Sequence, residues 1–220
     1  MARKPKNNDK NPARDACQTP SYALDLLIPY LKRDDIVWES AAGEGLLSDA
    51  LGRYVKRVIG TDLLTGQNYF DNLHVPYHYT VQITNPPFSL KYRWLERAYQ
   101  MGKPFALLMP ADTLFAATAQ ALFDAYGFGM LLPNQRIDFK MPNTGWKGSA
   151  QFTSAWFTWK LGVRDCVNRV KVNWTEQKRL MKQGEIAPIQ PVITPLCLQQ
   201  LPMFQEDANR RFDDAPTLSP

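Results

Sequence analysis

Between residues 17 and 160 short apolar runs alternate with stretches of helical spacing. Ile36-Val37-Trp38, closed by Glu39, predicts a strand, and Leu46, Leu47, Ala50, Leu51 and Tyr54 recur at helical spacing over 44–54. A second strand is expected over 55–60, just before Asp62. A third is expected over 81–84, just before Asn85. Leu90, Trp94, Leu95, Ala98 and Met101 predict a helix over 90–101, residues 105–109 a buried strand, and 112–126 another helix. Upstream, Thr19-Pro20 forms an N-cap and first-turn pair for a helix over about 20–32. Downstream, 129–132, 135–140 and 151–160 predict strands, the last alternating with Phe152, Ser154, Trp156 and Thr158 as one set. Strands alternating with helices predict an α/β domain, a mostly parallel sheet with helices on both faces. The closing pair of strands adds an antiparallel end.

The flanks differ from this block in composition and charge. The chain has 220 residues, 45% of them hydrophobic, enough for one real core, and a formal net charge of +5. Residues 1–16 carry five Lys/Arg against two Asp and predict a disordered basic arm. Residues 17–159 are balanced. Residues 160–184 carry seven basic residues against two acidic ones, and 185–220 are Pro-rich and acidic. The expected organisation is an arm over 1–16, one domain over 17–165, a basic extension over 166–184, and an extended tail over 185–220. Positive charge outside a neutral core suggests a polyanionic partner such as nucleic acid. Cys17, Cys166 and Cys197 make no CxxC pair, and His74 and His78 flank Pro76, so neither a disulfide framework nor a metal site is expected. The basic N-terminus has no apolar segment after it, and the apolar stretch at 104–123 is broken by Pro110 and Asp112. A soluble, cytoplasmic protein is expected.

Three motifs fall where strands end. Glu39-Ser40-Ala41-Ala42-Gly43-Glu44-Gly45 joins a strand to a helix. Its small residues let a ligand approach the backbone, and the helix start offers free N–H groups. Alone, it could equally be an ordinary tight turn. Asp62, at the end of the next strand, can accept both hydroxyls of a ribose, and with the glycine turn it points to a nucleoside-containing ligand. Asn85-Pro86-Pro87-Phe88 fixes an extended backbone without two N–H donors. It leaves the Asn side chain and a Pro carbonyl to accept hydrogens from one amino group, with an aromatic ring close enough to stack on the base that bears it.

Together these motifs resemble the S-adenosylmethionine-dependent N6-adenine DNA methyltransferases, most of all the small catalytic domains of bacteriophages and restriction–modification systems. The resemblance covers about residues 17–160. It implies a Rossmann-like class I methyltransferase fold, with S-adenosylmethionine as cofactor, double-stranded DNA with a flipped adenine as substrate, and a cytoplasmic setting in a bacterial host, phage-encoded forms included. Residue by residue it implies that Thr19 and Pro20 help hold the methionine end of the cofactor. Glu39 and the backbone of Ala41, Gly43 and Gly45 would bind its amino and carboxylate groups. Asp62 would hold the ribose, with Leu63 against the adenine. Asn85 and the Pro86 carbonyl, stiffened by Pro87, would take the N6 hydrogens, and Phe88 would stack on the base. The family usually has an acid and then an aromatic before the catalytic strand, which contact the cofactor adenine. Here Asn68-Tyr69 stands in that place, with Asp71 as an alternative in a shifted register.

Candidate phosphate contacts are Lys91, Arg93, Lys140, Lys147, Arg169, Lys171, Lys178 and Arg179, and Trp146 is either a wedge between bases or a buried anchor. No separate recognition domain of useful size is read in the chain, so methylation in loose sequence contexts is expected. Two further readings stay open. One keeps the chemistry but acts on RNA adenine or a protein glutamine. The other is a phage accessory protein that binds cofactor or DNA without turnover.

Overall fold

A computed structural model describes residues 15, 17–140, 153–163, 167–170, 175 and 178–179 of the chain. Its strands are β1 (Ile36–Glu39), β2 (Arg57–Gly60), β3 (Val81–Thr84), β4 (Phe105–Pro110), β5 (Gly129–Pro133), β6 (Ser154–Trp159) and β7 (Val167–Val170). Its α-helices are α1 (Leu46–Leu51), α2 (Lys91–Gln100) and α3 (Ala117–Tyr126). The strands form one sheet in the order β2-β1-β3-β4-β6-β5-β7. All run parallel except β6, which is antiparallel to both of its neighbours. The antiparallel strand expected near the end of the sheet is therefore flanked by β4 on one side and β5 on the other. β7, which no sequence signal predicted, adds a parallel edge beyond residue 165.

Alternation along the strands divides the core into two layers. Val37, Val81, Ile83, Ala106, Leu108, Leu131 and Trp156 face one side, against α1 and the 3-10 turn Ser21–Leu26. Trp38, Phe105, Leu107, Met109, Met130, Ala155 and Phe157 face the other, against α2 and α3. Every residue of β3 and β4 is buried, as strands covered on both faces must be. The topology is a Rossmann-like α/β sheet with both faces covered.

Three local expectations come out differently. Residues 20–32 form two 3-10 turns, Ser21–Leu26 and Ile28–Tyr30, not one α-helix. Pro29 removes the N–H that residue 25 would receive and its ring crowds that carbonyl, so the chain tightens to shorter-range bonds. Pro20, not Thr19, sits at the N-cap, and no side chain caps the turn. Residues 135–140 form no strand; they make a single bridge between Gln18 and Lys140. The segment 112–126 splits into the 3-10 turn Ala111–Phe115 and α3, with extended backbone at Ala116 between them.

Candidate active site

From β1 the chain crosses to β2 on one side and later returns to β3 on the other, so the strand order reverses between β1 and β3. Ligands of open α/β sheets bind in the crevice outside the strand ends at such a point. The loops after β1 and β3 are Glu39–Gly45 and Asn85–Phe88, the two motifs read in the sequence. Hydrogen bonds tie the first of them to β3 and α2. The Ala41 N–H donates to Thr84 Oγ1 at 3.1 Å, and Gln82 Nε2 and Trp94 Nε1 donate to the buried Ser40 Oγ at 2.8 and 3.4 Å.

The glycine turn is closed on itself to a degree the sequence did not suggest. The N–H groups of Ala42 and Gly45 donate to backbone carbonyls of Thr61 and Ala42. The Gly43 N–H donates to Asp62 Oδ2 at 2.9 Å, and the Glu44 N–H to Gln18 Oε1 at 3.1 Å. The backbone donors of the turn from Ala42 to Gly45 are thus engaged, and α1 itself is only six residues long. Two of these acceptors are side chains that can rotate away, so the donors of Gly43 and Glu44 can be exchanged with a ligand while those of Ala42 and Gly45 cannot. Gly43 and Gly45 have φ of +54 and +86, conformations that exclude most side chains.

Glu39 is 2% exposed and accepts a hydrogen bond from Ser48 Oγ. Burial pushes its carboxyl up to about 8, and nearby Asp62 adds to the rise. Asp62 also accepts from the Leu64 N–H at 2.8 Å, which leaves the neighbouring Leu63 73% exposed at the mouth of the crevice.

At the end of β3, Asn85 Oδ1 is buried and has no hydrogen-bond partner. Buried polar atoms are nearly always paired; Asp25 Oδ1, Arg97 Nε, Thr113 Oγ1, Ser154 Oγ and Thr158 Oγ1 share this state among the described residues, and Asn85 Oδ1 is the one that stands in a motif at the switch point. Pro86 beside it is buried. Phe88 meets Phe139 edge-on, with centroids 6.1 Å apart. Phe139 in turn follows Asp138, whose N–H donates to Tyr22 Oη at 2.8 Å and whose carboxylate pairs with Lys178 Nζ at 2.6 Å. Asp15, read in the sequence as part of a loose arm, accepts from the Ser89 N–H and Oγ at 3.2 and 2.6 Å, directly after the motif.

The remaining expected residues are distributed as follows. Thr19 and Pro20 are buried beside Gln18, whose bridge to Lys140 forms a strap over the glycine turn. Lys140 Nζ pairs with Glu44 at 3.0 Å, so it closes this strap. Asn68 is exposed, and its Oδ1 accepts from the Phe70 N–H, while Asp71 caps the next turn through the Leu73 N–H. Tyr69 is 3% exposed and stacks on Trp94 at 4.0 Å in the second core layer. Arg93 lies over the Phe70 ring and Lys91 over Tyr92. Arg169 is in β7. Trp146, Lys147, Lys171, the first fourteen residues and the tail lie outside the described residues. Asp15, Gln18 and Thr84 escaped the sequence reading because their partners are distant in the chain, and Ser40, though inside the glycine-turn motif, was given no role because its partners Gln82 and Trp94 are distant too.

These residues fit S-adenosylmethionine. An exposed apolar Leu63 follows a carboxylate able to take a diol, and a buried carboxyl, Glu39, can meet an ammonium. Asn85 Oδ1, at the end of the neighbouring strand, is an acceptor with no donor paired to it. Among the described residues there is no group of three or more His, Cys, Asp or Glu able to hold a metal, and no helix long and apolar enough to cross a membrane.

No family model and no curated protein matches the sequence. Among solved structures, the chain resembles the methyltransferase subunit of a type I restriction–modification system from Streptococcus thermophilus. The two are 13% identical with a TM-score of 0.48, over 83% of this chain and 52% of that one. The type I restriction enzyme EcoKI M protein is 12% identical with a TM-score of 0.47, over 69% of this chain and 46% of that one. Precorrin-6y C5,15-methyltransferase from Geobacter metallireducens is 11% identical with a TM-score of 0.41, over 63% and 86%. The chain thus spans about half the length of the two restriction subunits.

Proposed function

We propose that this chain transfers a methyl group from S-adenosylmethionine to the N6 amino group of an adenine in DNA. The observation that carries the reading is the buried, unpartnered Asn85 Oδ1 at the end of β3, followed by Pro86-Pro87-Phe88 and set beside the glycine turn at the switch point. When bound, the cofactor supplies a sulfonium methyl that is already electrophilic. The residues of the chain then have three tasks.

The first is to make the amine nucleophilic. The N6 lone pair of adenine is delocalised into the ring. Asn85 Oδ1 and the Pro86 carbonyl accept its two hydrogens and favour a geometry with more lone-pair character on nitrogen. With the cofactor bound, transfer would exchange the C–S bond for an N–C bond and release one N6 proton to solvent, and Asn85 Oδ1 and the Pro86 carbonyl would hold the amino hydrogens while it does so. The second task is position: holding amine and methyl in line is worth about 7–11 kcal/mol of the barrier. The bonds from Ala41 to Thr84 and from Gln82 to Ser40 fasten the glycine loop to β3, the strand that carries Asn85, and so serve that alignment. The third is to hold the base outside the helix. Flipping costs a few kcal/mol, and stacking on Phe88, itself propped by Phe139, returns about 1–3 kcal/mol of it.

The test is transfer of tritiated methyl from S-adenosylmethionine to unmethylated duplex DNA. Label on N6 of adenine is expected. Cofactor binding without label in DNA overturns the reading in favour of a non-catalytic binder, and label in RNA or protein alone moves it to another acceptor. Asn85→Ala should lower transfer by about 10²-fold or more, as loss of one preorganised polar contact does elsewhere. Cofactor affinity should stay nearly constant.

A further inference from the structure

Leu63, Leu64, Leu73, Tyr77, Phe115 and Tyr126 are large apolar side chains left exposed among the described residues. Most have an account. Leu63 and Leu64 follow the proposed ribose carboxylate, and Tyr126 stacks on Tyr99. Leu73 and Tyr77 lie in the segment that leads into the amino end of β3, where the Thr80 N–H bonds Ile36 at the start of β1. That leaves Phe115, 79% exposed, at the end of the 3-10 turn that follows β4.

Its position is set by the sheet register. Thr84 pairs with Leu107, so Asn85 comes level with Leu108, and β4 continues two residues further to Pro110 before turning. Adjacent strands lie about 5 Å apart. The turn Ala111–Phe115 therefore follows the strand next to the one that leads into the Asn85–Phe88 loop. Along the edge of the sheet the loops follow in the order β2, β1, β3, β4. Asp62, the glycine turn, Asn85 and Phe115 succeed one another in a row, with Phe115 on the far side of the acceptor loop from the proposed cofactor. The turn is also held. The Ala111 N–H donates to Thr153 O at 2.8 Å, the Ala116 N–H to Thr113 O at 3.2 Å, and Thr113 is fully buried. Phe115 is thus an aromatic ring carried on an anchored turn and free of the core, the kind of apolar side chain that can insert between base steps.

We infer that Phe115 is the wedge of the duplex: its ring takes the place of the adenine that leaves the stack, and so holds the flipped state open. The inference rests on the DNA-adenine reading and adds to it a residue whose contact is with the helix, not with the reacting base. It predicts a defect confined to double-stranded substrate, because a single strand has no stack to breach.

The experiment uses the full chain and one oligonucleotide sequence with a single adenine, as duplex and as single strand. Phe115→Ala should lower kcat/KM on the duplex by about tenfold or more and on the single strand by no more than about twofold. Phe115→Trp should restore the duplex rate. A duplex carrying 2-aminopurine at the target should brighten on binding the native protein and much less on binding Phe115→Ala. Unchanged S-adenosylmethionine affinity serves as the control for folding. Equal losses on both substrates, or no loss on either, overturn the inference while leaving the methyltransferase reading intact. If the native chain methylates neither substrate, the proposed function itself has failed.

Discussion

Asp25 and Glu39 are carboxyls held where water is scarce. Burial pushes Asp25 up to about 7 from 3.8, and Glu39 up to about 8 from 4.5. For a group whose pKa is raised on folding, the associated stability is fully present below the unfolded value and is lost as pH rises through the folded one. The melting temperature should therefore fall between about pH 4 and pH 8. Asp25→Asn, at a side chain whose Oδ1 has no partner, should flatten this dependence and raise the melting temperature at pH 8, as read by thermal denaturation across pH. Glu39 carries the opposite sign into binding. Only its ionised form meets an ammonium well, so cofactor affinity should weaken as pH falls below about 8, with proton uptake by Glu39 as the cause. Calorimetry should show Glu39→Gln binding more weakly at pH 8.5 and with less change on acidification. Asn85 gives a third expectation at this scale. Its Oδ1 is a buried acceptor without a donor, so Asn85→Ala should not lower thermal stability even as it removes transfer.

Among elements, the glycine turn makes the sharpest claim. A Cβ added at Gly43 would displace the amide end of the Gln18 side chain, on a backbone with φ +54. A Cβ added at Gly45 would meet nothing within 4 Å, although its φ is +86. Gly45→Ala should thus cost only the backbone strain, about 1–2 kcal/mol, and Gly43→Ala that strain plus the Glu44–Gln18 hydrogen bond that the displaced side chain gives up. Combining Gly43→Ala with Gln18→Ala should cost less than the sum of the two, because that bond is lost only once. Urea denaturation of the four chains measures the difference as a coupling energy.

The same scale shows what the sequence could disclose. β1, β3, β4 and α2 were legible because each is long or apolar enough for its period to stand out, and Glu39, Asp62 and Asn85 were legible because strand ends locate them. The helix expected over 20–32 failed on one residue, Pro29, whose missing N–H outweighs the good spacing around it. β7 was illegible for a different reason. Its residues, Val167-Asn-Arg-Val170, follow a basic pattern that reads as solvated, and only its pairing with β5 makes it a strand. Gln18 and Asp15 belong to the same lesson, since their partners at Glu44 and Ser89 are set by the fold and no short window contains both.

For the whole molecule, the segregation of charge has a consequence on the DNA reading. Residues 1–14 carry Arg3, Lys4, Lys6, Lys10 and Arg14 against a single Asp9. Their removal spares Asp15 and its bonds to Ser89. The truncated chain should bind DNA more weakly and with a shallower salt dependence, the slope of log K against log salt falling by about 0.9 for each phosphate that the arm no longer neutralises. Cofactor affinity should be unaffected. Fluorescence anisotropy over a range of salt concentrations measures the first two quantities, and calorimetry the third.

The reversed strand has a consequence in time as well as in space. β5 and β7 reach the rest of the sheet only through β6, and β4 finds its second neighbour only when β6 arrives. A growing polypeptide has therefore made five of its strands before the one that unites them exists. At about 5–20 residues per second, the apolar flank of β4 waits a few seconds for residues 154–159 to be synthesised, an open edge of the kind that recruits wrong partners. β6 is the keystone laid late, and chains that stop near residue 150 should be found with chaperones or in aggregates, where chains that reach 160 are not.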